Sequence, residues 1–278
     1  MKIGLSTAIL WDYEELDVPK AISHAVDNLG YEAVEIHCEE PFFEGWGSKK
    51  AEKTKKNIKD VLSIIDAEVS LHAPYHDMNI AAINNGVSEE VVRQYEECIE
   101  TARYLDSEIV VVHPGFVSSR KYRREMSFQK MIKNLKKITK SARDAGVKIC
   151  LENLSSKAKA MCVSISEIKK TLRRVDMDNL KVTLDIAHAN TTKEGPVTYA
   201  KKLKEHIAHI HVSDNTGDDN HLPIGLGNID FEATLEKIQP YPGLLMVEGW
   251  IPTNEDPYLI YDRRELERIR ENLKSVGE

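Results

Sequence analysis

Short, β-branched apolar runs recur every few tens of residues along the chain, each followed by a longer stretch with apolar residues three and four apart. The runs are KIGLST from Lys2, AVEIH from Ala33, EVSLHA from Glu68, IVVVH from Ile109, KICLEN from Lys148, KVTLD from Lys181, IAHIHV from Ile207 and GLLMVE from Gly243. IVVV and GLLMV are apolar without alternation, as expected of parallel strands covered on both faces. The intervening stretches read as amphipathic helices. VPKAISHAVDNLG has Gly30 as a C-terminal stop, and SEEVVRQYEECIETARYL has Ser88 as its N-cap. Strand alternating with helix predicts βα units and a parallel sheet.

Eight such units in 278 residues match a closed (β/α)8 barrel, the TIM-barrel architecture, whose usual length is about 250 residues. An open doubly wound sheet would carry a glycine-rich phosphate loop after its first strand. The segment STAILWDYEELD has no glycine, so no nucleotide cofactor is expected. No linker or low-complexity stretch divides the chain, and residues 1–278 are expected to form a single barrel domain. The formal net charge of −7 argues against coating nucleic acid by charge alone, since phosphate contacts need clustered Lys and Arg. The basic runs KKAEKTKK and KMIKNLKKITK have helical apolar spacing and read as solvated helix faces. The N-terminus lacks the apolar core of a signal peptide, and no run approaches the roughly 20 apolar residues that span a bilayer. Cys38, Cys98, Cys150 and Cys162 form no CxxC pair and read as reduced thiols. A cytoplasmic protein with no membrane association is the expectation.

In such barrels chemistry sits at the C-terminal ends of the strands. The third candidate strand ends in His72, the fourth in His113, the fifth in Glu152, and the sixth in Asp185 with His188 just beyond. The seventh carries His209 and His211, then Asp219 and His221, and the eighth ends in Glu248. Each has a plain reading alone, as a hydrogen-bonded histidine or a helix-capping carboxylate. Closing the barrel brings them toward one axis, where several carboxylates without a cation would be very costly to bury. A bound divalent metal is therefore predicted. Imidazole with carboxylate suits Zn, Mn, Co or Fe better than Ca, and the absence of cysteine points to a catalytic rather than a structural site.

The motifs SLHAPYHDMNIA, VVVHPG, CLENL, LDIAHAN, HIHVSDNTGDDNHLPIGLGNIDF and MVEGW occur in this order at strand ends. In this the chain resembles the xylose isomerase-like TIM-barrel superfamily, which includes sugar isomerases, ketose 3-epimerases, inosose-processing enzymes and endonuclease IV. The resemblance implies a shared metal site on Glu152, Asp185, His211 and Glu248, with Glu152 and Glu248 exchanging substrate protons and His188 holding a substrate oxygen. Endonuclease IV holds three zinc ions with five further ligands, which fall here on His72, His113, His188, Asp219 and His221, while Glu152 bridges two metals. One to three ions are thus implied, and either isomerisation or phosphoester hydrolysis.

The surroundings favour the first. Glu39 and Glu40 in HCEEPFFEGWGSKK would repel phosphates, HANTTKEG replaces CHAFAAGY, HPGFV replaces HPGSH, and DDNH replaces an arginine-containing DRH. A small sugar or polyol is the expected substrate, with abasic DNA as the alternative. Glu35 and His37, one step of alternation apart, are candidate substrate contacts, as are Tyr75, which matches a DNA-contacting residue of endonuclease IV, Trp46 and Trp250. Trp46 with Phe42 and Phe43 would form an apolar lid or a contact between copies, so a homo-oligomer stays open. His209 is expected one layer below His211, as its partner rather than as a ligand.

Overall fold

The computed structural model of the chain describes residues 1–10, 17–121, 123–249 and 256–275. All eight predicted strands form: β1 Lys2–Ser6, β2 Ala33–His37, β3 Glu68–His72, β4 Ile109–Val112, β5 Lys148–Glu152, β6 Leu180–Asp185, β7 Ile207–Val212 and β8 Leu244–Val247. They pair in parallel in sequence order, and β1 closes on β8. The helices are α1 Val18–Ser23, α2 Ala51–Leu62, α3 Asn85–Tyr104, α4 Arg124–Asp144, α5 Ile165–Val175, α6 Ile186–Asn190, α7 Pro196–Leu203, α8 Phe231–Glu236 and α9 Asp256–Ser275. This is the (β/α)8 barrel the hydrophobic pattern predicts. Among the described residues no helix is long and apolar enough to cross a membrane.

Two faces of each strand do different work, because successive side chains point to opposite sides. Ile3, Leu5, Val34, Ile36, Val110, Val112, Ile149, Leu151, Val182, Leu184, Ile210, Val212, Leu245 and Val247 join the large core between sheet and helices. The alternate positions fill the barrel interior. Ala33 and Met246 lie near its floor, where a Cβ on Gly4 would meet Met246 Sδ at 2.4 Å and Ala33 Cβ at 2.9 Å. Higher up the same interior faces carry Glu35, Ser70, Thr183 and His209. At the top stand His37, His72, Glu152, Asp185 and His211, with His37 opposite His72 and Asp185 opposite His211 in the ladder. The stagger of the closed barrel means that ladder partners need not share a height: Glu152 pairs with Thr183 and His211 with Met246.

Two local details differ from expectation or refine it. Helix α3 starts earlier than predicted, because Asn84 is its N-cap and accepts the Val87 N–H. Ser88 is instead buried one turn inside and accepts from Asn134 Nδ2 at 2.8 Å. The first helix is a short α-turn run followed by a π-turn over His24–Asn28, closed by Gly30 at φ +76° as predicted. All four cysteines are buried free thiols.

Candidate metal centre

Nine side chains at the mouth fall into three clusters, two of which share Glu152. Glu152, Asp185, His211 and Glu248 each place one ligand atom within 4.8 Å of the others, as do His72, His113 and Glu152, and His188, Asp219 and His221. Glu152 Oε2 lies 3.4 Å from His72 Nε2, 3.2 Å from His113 Nε2 and 3.6 Å from His211 Nδ1. Asp219 Oδ1 lies 3.3 Å from His188 Nε2 and 3.2 Å from His221 Nε2. The sequence-predicted ligands are thus brought together.

Hydrogen bonds aim these rings. A carbonyl only accepts, so a ring nitrogen beside one must carry the proton and the other nitrogen keeps a lone pair. His72 Nδ1 lies 2.8 Å from Ala73 O, His188 Nδ1 2.9 Å from Asn153 O, and His221 Nδ1 3.0 Å from Glu248 O. Each therefore presents Nε2 to its cluster. His211 is turned the other way: its Nε2 lies 3.0 Å from Glu35 Oε1 and its Nδ1 2.7 Å from Glu248 Oε2. Asn153 locks the neighbouring strand end, accepting Asp185 N–H and donating to Asp185 O, both at 2.9 Å. Asp185 caps α6 through the His188 N–H at 2.6 Å, so it is a helix cap as well as a candidate ligand.

The loop after β7 is folded by Asp214. Its Oδ2 accepts Gly225 N–H and Gly227 N–H, both at 2.9 Å, and its Oδ1 accepts Asn215 N–H at 2.8 Å. A Cβ at position 227 would stand 2.1 Å from Asp214 Oδ1, so glycine is required there. Paired bonds between Asp214 and Leu222, both 2.7 Å, close the segment carrying Asp219 and His221. Asp219 Oδ2 accepts from Ser155 Oγ at 2.8 Å and pairs with Lys157 Nζ at 2.6 Å. Asn153, Ser155, Lys157 and Asp214 escape sequence reasoning, since nothing in their spacing separates them from ordinary loop residues.

Several buried polar atoms here lack an aligned hydrogen bond, among them Glu152 Oε1, His211 Nδ1 and Asp219 Oδ1. Burial pushes the Asp185 carboxyl up to about 6 against the lowering effect of His188. Burial also raises Glu152, but the charges of His113 and His211 outweigh it and hold that carboxyl well below its ordinary range. Converging lone pairs and crowded carboxylates are what a divalent cation relieves, and imidazole with carboxylate is the donor set of Zn, Mn, Co or Fe. The residues fit such an ion.

The predicted substrate contacts divide. Tyr75 roofs one side, its ring 5.2 Å from His72, 4.6 Å from His113 and 5.8 Å from His37. His37 stacks on His72 at 4.5 Å, and burial, with the charge of His72, lowers it to about 3, so it stays neutral. Phe42 meets the His37 edge at 5.6 Å. Glu35 lies a layer lower, fully buried, with Oε2 taken by Ser70 Oγ and His209 Nε2, each at 2.9 Å. His209 is thus linked to His211 through Glu35, one layer down as expected. Trp46 packs into the helical layer, donating from Nε1 to Gln94 Oε1 at 3.2 Å under Lys55 and beside Phe43. The lid reading of Trp46 and Phe43 does not describe them; Phe42 alone of the three aromatics faces the histidines. Glu39 is buried and accepts Tyr75 N–H, His76 N–H and His76 Nδ1. It ties two loops together, and its charge is already answered. Trp250 lies outside the described residues.

The profile of the xylose isomerase-like TIM barrel matches residues 24–275. The chain is 32% identical over 263 residues to uncharacterized protein MJ1311 of Methanocaldococcus jannaschii, covering 90% of this chain and 84% of that one. A crystal structure of a D-tagatose 3-epimerase-like protein superposes with a TM-score of 0.88 at 30% identity, covering 100% of both chains. A probable endonuclease 4 of Mesomycoplasma hyopneumoniae is 28% identical over 184 residues, 62% of this chain and 64% of its own. With barrel, site and profile in agreement, the chain belongs to the xylose isomerase-like TIM barrel family.

Proposed function

We propose that the protein is a divalent-metal-dependent epimerase or isomerase of a small carbohydrate. The observation that carries this reading is the placement of Glu152 and Glu248 around one imidazole: His211 Nδ1 is 3.6 Å from the first and 2.7 Å from the second. A cation held by Glu152, Asp185, His211 and Glu248 would, when bound, draw charge from adjacent carbonyl and hydroxyl oxygens and acidify the C–H between them. One glutamate takes that proton, the C–H electron pair moves toward the carbonyl, and the other glutamate returns a proton to the opposite face. Two carboxylates around a shared centre suit inversion at carbon. His188, its Nδ1 held by Asn153 O, presents Nε2 beside Asp219 Oδ1 at 3.3 Å, where it would hold a substrate oxygen. Tyr75 and Phe42 offer apolar surface on the β2–β4 side. The full-length similarity to a D-tagatose 3-epimerase-like protein supports a ketose as substrate.

Phosphoester hydrolysis is the second reading. It is favoured by the two further triads, His72–His113–Glu152 and His188–Asp219–His221, and by the partial likeness to an endonuclease 4. The pairing of Glu39 removes one argument against it. Two assays separate the readings. Metal-loaded protein is expected to exchange carbon-bound hydrogen of a ketose with deuterated solvent, at a rate that falls roughly 100-fold or more in Glu248→Gln. Incision of an abasic-site duplex, lost in Glu152→Ala, without any ketose exchange would overturn the sugar reading.

A further inference from the structure

We propose that the mouth carries a phosphate-binding rim on its β4–β5 side, so that the substrate is a phosphate monoester of a small carbohydrate; this deepens the sugar reading and rests on it for the carbohydrate part. Residues 113–123 and 153–164 follow the C-terminal ends of β4 and β5. Together they hold Arg120, Lys121, Arg123, Lys157 and Lys159, and no Asp or Glu. In a chain of net charge −7 these two segments are a local excess of positive charge.

The two segments form one frame. Phe116 and Ala160 make an antiparallel bridge, Val117 N–H donates to Lys159 O at 2.8 Å, and Met161 N–H donates to Gly115 O at 3.0 Å. From α4, Arg124 donates to Ala160 O at 2.7 Å while its fork is answered by Glu167. Arg124 and Glu167 neutralise each other and so do not offset the loop cations. Arg120, Lys121, Arg123 and Lys159 are exposed, and none has an ion pair among the described residues. Lys157 joins this frame to the metal centre through Asp219 Oδ2 at 2.6 Å. Asp219 Oδ1 in turn faces His188 and His221. A short polyol chain leaving the centre toward Lys157 would carry a terminal phosphate onto the rim.

A phosphate monoester offers three acceptor oxygens and nearly two charges, which suit guanidinium forks beside ammonium points. A DNA duplex fits less well. It needs cations along both flanks, whereas residues 213–230 contribute Asp214, Asp218, Asp219 and Asp230 and no Lys or Arg.

The test is calorimetric titration of metal-loaded protein with inorganic phosphate, which requires no turnover. Binding is expected to weaken roughly tenfold or more in an Arg120→Gln, Lys121→Gln, Arg123→Gln triple variant, and to weaken also in Lys159→Met, a single change at an exposed side chain. Unchanged affinity in both variants at equal metal content would place the anion on the metals and overturn the rim. A second arm compares a ketose with its 6-phosphate, the phosphate ester binding more tightly only while the rim is intact. Rim-dependent phosphate binding without proton exchange from either ketose would refute the sugar reading and leave the rim standing. Rim-dependent binding of an abasic duplex, with none of the ketose phosphate, would overturn the monoester.

Discussion

Glu35 shows how one residue governs the chemistry of another without reaching the mouth. For His211 to offer Nδ1 toward Glu152 and Glu248, Nε2 must keep its proton, and the Glu35 carboxylate, with Oε1 at 3.0 Å, is the charge that favours it there, at ion-pair distance without an aligned hydrogen bond. Ser70 and His209 hold the other oxygen, so the carboxylate cannot swing away. Burial raises this carboxyl, but the charges of His211 and His209 outweigh it and keep it ionised. An anion behind a ligating imidazole raises its basicity and fixes its orientation, and loss of such a partner typically weakens metal binding about 10–100-fold. Glu35→Gln is nearly isosteric and is expected to show a loss of that size in chelator competition, with the circular dichroism spectrum unchanged. Wild-type metal affinity in this variant would refute the positioning role. The alternation of AVEIH placed Glu35 and His37 on one face. Depth was not legible, because two residues of strand rise, about 7 Å, separate a mouth residue from one beneath it.

Helix α9 packs Leu259, Leu266 and Ile269 into the core and also carries one buried acid. Asp262, 1% exposed, accepts Ile224 N–H at 2.8 Å and so joins the helix to the loop after β7. Burial pushes its carboxyl up to about 7, against the lowering effect of the Ile224 bond. The folded chain therefore binds this proton more tightly than the unfolded chain, in which the value is near 3.9. Stability from this group falls as pH rises from about 4 to 7 and levels off above. Asp262→Asn keeps the acceptor and removes the charge. Denaturant titrations at pH 5 and 8 should show the variant gaining on the wild type at the higher pH, by roughly 1–3 kcal/mol; a pH-independent difference would contradict the assignment. At this scale the strands were legible because parallel strands must be apolar on their helix-facing side. Helix starts were less so: Asn84 and Ser88 are both good caps, and the choice fell to Asn134, which buries Ser88. Trp46 is less legible still, because a loop aromatic can turn toward either layer, and Gln94 on α3 offers its indole N–H a partner.

The barrel as a whole gathers strand ends from β3 to β8 into one centre, and that closure makes metal content a property of the entire molecule. The net charge was legible in composition, but it averages an acidic sector against a basic one and hides both. Their separation follows only from which loops the topology sets side by side. The same topology ranks the three clusters. Glu152, Asp185, His211 and Glu248 would supply four ligands, three of them carboxylates, whereas each of the two mouth triads would supply three, one of them sharing Glu152. The four-ligand cluster should bind most tightly, since each carboxylate added lowers the cost of desolvating the cation. After dialysis against a weak chelator, elemental analysis is expected to find one ion per chain in the wild type and in His113→Ala, and none in a Glu152→Gln, Glu248→Gln double variant. Removing the last ion leaves like charges buried together, and because metal binds the folded state alone, melting temperature should fall as free metal falls. Three ions per chain surviving that dialysis would instead make the triads equal partners, which suits hydrolysis and counts against proton exchange around a single centre.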